Sequence, residues 1–220
     1  MQNKDIDIIN ENSDDMTSTA LPVNTMSDPE LLTYYEDALN RVFWLEGEID
    51  DSSSSIIKNI IGINREDVGV PSEERQPIRL LINSVGGDTY MTMAIMDAIS
   101  RSKTPVICVN MGCAFSGGFF IFMAGHKRLA MPHSTFIMHD GSVVRSGTVA
   151  KMDYYNQHDR ILTQWLRSHV REHTQITDAM MNKKLGTQHS GLDGDWCMNA
   201  DEAIKLGVAE SIIEDLDVVI

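Results

Sequence analysis

Two apolar runs set the limits on what this chain can fold into. Residues 78–83 (IRLLIN) and 105–111 (PVICVNM) are short, rich in branched aliphatic side chains, and closed by glycine-rich turns. Runs of this length bounded by turn residues suit strands buried on both faces. Each leads into a helical pattern. Met91, Ala94, Ile95 and Ile99 share one side of residues 89–100, and residues 119–124 form an apolar helix face. A strand that ends in a turn and passes into a helix, met repeatedly, predicts an α/β fold with a largely parallel sheet.

The flanking segments fit that pattern. A helix is expected after Ser27-Asp28-Pro29-Glu30, a strand over 41–47, and a helix over 50–63 with Ile56, Ile57, Ile60 and Ile61 at helical spacing. Residues 65–77 read as a charged loop. Short strands follow at 127–130 and 135–139, then a polar connector over 141–147 and a long helix over 148–174. Thr177 caps a short helix to Leu185, residues 186–195 are a Gly/Asp-rich loop, 200–206 are helical, and 208–213 return as a strand.

The first 30 residues read differently. Asp5, Asp7, Glu11, Asp14, Asp15, Asp28 and Glu30 face a single base, Lys4, among polar residues. They predict a flexible acidic arm before one domain over 31–220. The net charge of −14 argues against a nucleic-acid partner, which needs clustered Lys and Arg. Three cysteines, Cys108, Cys113 and Cys197, without CxxC spacing suit a reducing cytoplasm. No secretory signal is recognisable, and no apolar stretch reaches the length of a membrane span.

Ser116 is the residue on which chemistry could turn. It stands in Met111-Gly112-Cys113-Ala114-Phe115-Ser116-Gly117-Gly118, between a strand and a helix, where a hydroxyl can be exposed while its neighbours are buried. The bland alternative is a helix N-cap. Acyl transfer by serine also needs a base, an acid to orient it, and N–H donors for the oxyanion. His139 ends a strand and could lean into a cleft. Asp193 or Asp195 could orient it. The N–H groups of Gly86, Gly87 and Gly117 are candidate oxyanion donors. Each has a structural alternative, and spacing alone does not show that they meet. His169-Val170-Arg171-Glu172-His173 has the H-x-x-E-H spacing of one zinc-peptidase class, but no third-ligand motif follows. It reads as the solvated end of the long helix, and no metal or cofactor is expected.

Five segments, in order, resemble the proteolytic subunit of the Clp protease (ClpP). They are RVFWLEGEID, LLINSVGGD, GCAFSGGFFIFMAGHKR, MPHSTFIMH and DWCMNADEAIKLGVAESI. The resemblance runs from about residue 41 to 213. It implies the ClpP/crotonase-like spiral of ββα units with a protruding handle helix, placed here over 148–174. It puts the nucleophile on Ser116, the base on His139, and the acid on Asp195, five residues before Ala200 in the closing motif. It puts the oxyanion hole on Gly86 or Gly87 and Gly117.

The implied function is a serine endopeptidase inside a homo-oligomeric barrel of stacked rings. Its substrates are polypeptides, and a AAA+ unfoldase is a possible partner. ATP would be used by that partner, since this chain has no G-x-x-x-x-G-K-[ST] loop. A viral head-maturation protease, a non-catalytic ring subunit and an acyl-CoA enzyme of the crotonase fold are the alternatives. Val85 stands where the family has proline, Phe115 and Gly117 flank the serine where Ala and Met are usual, and residues 140–145 replace its Q-P-x-G-G segment. Such divergence would suit a phage-encoded or second-copy member.

Overall fold

The computed structural model describes residues 28–141, 144–185 and 194–218. The expected acidic arm lies outside these, apart from residues 28–30. The chain divides between Glu36 and Asp37, within the first helix, α1 (Pro29–Leu39). Pro29 opens it, where a missing N–H costs nothing, and the Asp28 carboxylate accepts from the Glu30 N–H at 3.0 Å.

From residue 42 onward strands and helices alternate: β1 (Val42–Ile49), α2 (Ser54–Glu66), β2 (Ile78–Gly87), α3 (Thr89–Arg101), β3 (Val106–Phe115), α4 (Gly117–Met123), β4 (Lys127–Ala130), β5 (Thr135–Met138), α5 (Val149–His173), α6 (Asp178–Leu185), β6 (Trp196–Asn199), α7 (Ala200–Lys205) and β7 (Ser211–Ile212). Among the described residues seven strands form one sheet. β1, β2, β3, β4 and β7 lie side by side in that order, and β5 and β6 branch from β3. Every pairing is parallel except β5 with β6. The α/β architecture with a mainly parallel sheet is therefore the one expected.

β3 makes the branch. Its first half, from Ile107 to Asn110, pairs with β4, and its second half, from Cys113 to Phe115, pairs with β5. Asn110 stands at the fork, fully buried. Its amide donates to the Thr135 carbonyl at 2.8 Å and accepts from the Gly112 N–H at 3.1 Å. A buried amide satisfied on both sides fixes where one pairing stops and the next starts.

Side-chain alternation fills both faces of the sheet. Leu80, Ile82 and Cys108 face the main core with Ile56, Ile60, Ile95, Ile99, Phe119 and Phe122, whereas Leu81 and Val109 join Val42, Leu129 and Ile213 on the other side. All seven residues of α4 are buried. Phe122 meets Phe136 edge-on, with ring centroids 5.0 Å apart. Each such phenylalanine contributes roughly 1.5–3 kcal/mol by leaving water. α5, by contrast, buries only Leu162 and Val170 among its 25 residues.

Several boundaries differ from expectation. β2 and β3 continue to Gly87 and Phe115, past the apolar runs at 83 and 111, because their small residues still pair with neighbouring strands. α2 continues to Glu66, and the last strand shrinks to Ser211–Ile212. β6 was not expected: four residues carry too little pattern, and β5 supplies the pairing that extends them.

At the start of β1 and β2, Arg41 and Asp67 form a nearly buried pair. Nη1 and Nη2 of Arg41 each lie 2.8 Å from a carboxylate oxygen of Asp67, and Thr104 Oγ1 donates to the same carboxylate at 2.7 Å. The Asp67 side chain is 9% exposed. The Arg41 hydrogen bond foremost, with Thr104 adding and burial opposing, holds its carboxyl below the ordinary 3.8. A lowered value stabilises the fold fully above the unfolded carboxyl range, and that contribution is lost as pH falls through the folded value. Asp67→Asn is expected to cost about 2 kcal/mol at pH 7, below the roughly 3–5 kcal/mol for breaking a fully buried pair because Arg41 stays partly in water. The loss should shrink towards pH 3. Urea denaturation at both pH values checks this; an equal loss at both would remove the charge from the explanation.

Candidate active site

Ser116 joins β3 to α4. Its φ of 51° and ψ of −119° lie where a non-glycine residue rarely rests and costs of order 1–3 kcal/mol. It occupies the N-cap position of α4, yet its side chain makes no cap hydrogen bond. The strain is not recovered as a cap, which removes the bland reading of this serine. The backbone is held instead. The Ser116 N–H donates to the Ile137 carbonyl at 2.8 Å, and the Ser116 carbonyl accepts from the Phe119 N–H at 3.0 Å.

The end of β2 passes against this turn. Gly86 has φ of 94°, and a Cβ there would fall 2.6 Å from Ser116 Cβ, 2.8 Å from the Phe115 carbonyl oxygen and 2.9 Å from the Gly117 nitrogen. Only glycine allows that approach. Gly87, at φ of 154°, lies so close to the Ile49 backbone that a Cβ would overlap its carbonyl oxygen, and a Cβ on Gly117 would overlap Thr92 Oγ1. The Gly86 N–H donates to the buried Ser84 hydroxyl at 3.1 Å, and that hydroxyl donates to the Gly47 carbonyl at 2.7 Å. Gly86 is thus spoken for as a donor. Gly117, the first residue of α4, has no helical acceptor for its N–H.

His139 and Asp195 come to the same end of the sheet by register. Phe115 pairs with Ile137, which sets Ser116 beside Met138 and His139 one residue beyond. Met138 pairs with Trp196 in the antiparallel ladder, so one further step sets His139 opposite Asp195. All three therefore stand at the carboxyl ends of β3 and β5, where open α/β sheets bind ligands. His139 is half-buried and Asp195 exposed. His139 Nδ1 accepts a hydrogen bond from the Gly141 N–H at 2.8 Å. Asp195 makes no hydrogen bond or ion pair among the described residues, and Asp193 lies outside them.

Two neighbours of the site carried no signal in the sequence. Ser84 is one, an unremarkable strand residue whose burial appears only once β1 lies beside β2. Arg167 is the other. From α5 it grips the Asp140 carboxylate, 27 residues away, donating through Nε to Oδ1 at 2.6 Å and through Nη2 to Oδ2. At the far end of α5, the His169 and His173 rings sit 4.3 Å apart. No group of three or more His, Cys, Asp or Glu residues is placed to hold a metal among the described residues. No helix among them is long and apolar enough to cross a membrane.

Comparison with known proteins adds to this geometry. The model of the Clp protease family matches residues 30–216. The chain is 28% identical over 141 residues to an ATP-dependent Clp protease proteolytic subunit of Deinococcus radiodurans, covering 63% of this chain and 66% of that protein. It is 26% identical over 209 residues to an ATP-dependent Clp protease proteolytic subunit 3 of Synechococcus sp. (strain CC9605), covering 88% of this chain and 97% of that protein.

Proposed function

Since the chain belongs to the Clp protease family, we propose that it is a serine endopeptidase of a homo-oligomeric barrel. Ser116 is the nucleophile, His139 the base, and Asp195 the acid that orients the imidazole. The observation that carries this reading is the strained, uncapped turn at Ser116, packed against Gly86 at the carboxyl end of the sheet. Backbone strain kept at a half-buried, uncapped hydroxyl fits a nucleophile better than a structural serine.

In the reaction, His139 Nε2 takes the Ser116 hydroxyl proton as Oγ attacks the peptide carbonyl carbon. The carbonyl oxygen becomes an oxyanion. The N–H of Gly117, with that of Gly87, is set to receive it; one such donor is worth about 10²–10³-fold in rate. The imidazolium, held by Asp195, then gives its proton to the leaving amine, and the C–N bond breaks. Water, deprotonated by His139, attacks the acyl-enzyme, and Ser116 recovers its proton. The base works only with its proton on Nδ1 and its lone pair on Nε2. The curated relatives are named ATP-dependent. This chain's own chemistry uses no nucleotide, so an ATP-hydrolysing unfoldase is the partner proposed to feed it folded substrates.

A fluorophosphonate probe followed by peptide mapping tests the reading. One adduct is expected, on Ser116, with parallel loss of peptide hydrolysis. Full hydrolysis after complete labelling, or an adduct on another serine, would overturn it.

A further inference from the structure

With Ser116, His139 and Asp195 taken as the triad, the hydrogen bond at His139 becomes informative. The Gly141 N–H points at Nδ1 from 2.8 Å. A ring nitrogen that accepts a hydrogen bond carries no proton, so the neutral imidazole has its proton on Nε2. That tautomer offers Asp195 no Nδ1–H and offers Ser116 no lone pair. The described arrangement is a resting one.

Asp140, between the two bonded residues, is the one that is held. Arg167 grips both of its carboxylate oxygens, and Arg167 Nη1 donates to Asn182 Oδ1 at 2.8 Å. One guanidinium thus ties the turn after β5 to α5 and α6. The Arg167 side chain is 20% exposed and that of Asp140 37%. Eight residues earlier on α5, Asp159 pairs with Arg145, whose guanidinium lies 4.8 Å over the Tyr155 ring. Residues eight apart share a helix face, so α5 holds the connector at two points along one side. A two-pronged Arg–carboxylate pair fixes orientation as well as distance.

We propose that Arg167 is a positioning residue for His139: by gripping Asp140 it fixes the 139–141 turn that keeps the imidazole in its resting tautomer, and catalysis requires that grip to loosen. The imidazole then turns from Gly141 and presents Nδ1–H to Asp195. Arg167 touches neither substrate nor the reacting atoms and acts through Asp140 alone.

The test uses the full chain in its native assembly. Asp140→Asn, which keeps the side-chain shape, and Arg167→Gln each remove the ion pair. Each is expected to raise kcat for a fluorogenic peptide about threefold to fivefold, the scale of a partly exposed pair of good geometry, with KM unchanged. The rate of fluorophosphonate labelling should rise in step. Exchanging the charges, Asp140→Arg with Arg167→Asp, should return both rates towards the parent. An unchanged kcat, or a fall in both single variants that the exchange does not reverse, overturns the proposal. Ser116→Ala in the same backgrounds separates the two ideas. If it abolishes cleavage while the Arg167 and Asp140 variants leave kcat unaltered, only the positioning role fails. If it leaves cleavage intact, the triad itself fails.

Discussion

Replacing Ser116 with alanine is expected to lower kcat for peptide hydrolysis by about 10⁵–10⁶-fold, the scale seen when a triad nucleophile is removed. The assembly should be unaffected. The Ser116 side chain makes no cap hydrogen bond, so its hydroxyl contributes little to the turn. Alanine has the same Cβ and meets the same backbone strain at φ of 51°. The Ile137 carbonyl still receives the N–H of residue 116. What disappears is the atom that forms the acyl bond. Initial rates on a fluorogenic peptide, together with sedimentation to record the size of the particle, check both halves. Cleavage by Ser116→Ala at the parent rate would rule out the mechanism.

Gly86→Ala should be the next most damaging change, through two separable effects. The backbone at φ of 94° is costly for any L side chain, and the new methyl would enter 2.6 Å from Ser116 Cβ. Real contacts are not that short, so the Ser116 turn must move away. Strain and overpacking together are expected to cost about 2–4 kcal/mol of stability. Displacing the nucleophile and the Gly117 nitrogen is expected to lower kcat/KM by about 10²–10³-fold, the penalty of a misplaced reacting group or a lost oxyanion donor. Gly47→Ala is the control. Gly47 also has positive φ, 65°, but no atom lies within 4 Å of a Cβ placed there. It should lose about 1 kcal/mol, with activity kept. Equal loss of activity in both variants would show that the damage comes from backbone strain alone, and the packing of Gly86 against Ser116 would lose its role.

Most of the fold was legible because its signals are local. Buried strands such as β2 and β3 announce themselves by continuous apolar runs, and α3 by apolar residues on one side. Ser116 and its glycines were legible as candidates only through the order of the five family-like segments, since the turn by itself read as well as a helix N-cap. β6 was not legible. Trp196, Cys197, Met198 and Asn199 are a strand only because β5 lies alongside them in antiparallel register. Nor could the lengths of β2 and β3 be read, since residues past the apolar runs stay extended only by pairing with strands from elsewhere in the chain.

The site divides in the same way. By itself the sequence determined which atoms are available: one hydroxyl on a turn that tolerates strain, one imidazole at a strand end, and glycines where no Cβ can fit. Those are properties of single residues and their immediate neighbours. Only the tertiary structure decided how they are disposed. The branching of β3 sets Ser116 beside Met138, one residue from His139, the antiparallel β6 brings Asp195 to the same end of the sheet, and Ser84 takes the Gly86 N–H. Arg167 grips the carboxylate next to the base from 27 residues away. These depend on strand register and on which faces of α5 and the sheet meet, and a one-residue slip would undo each of them.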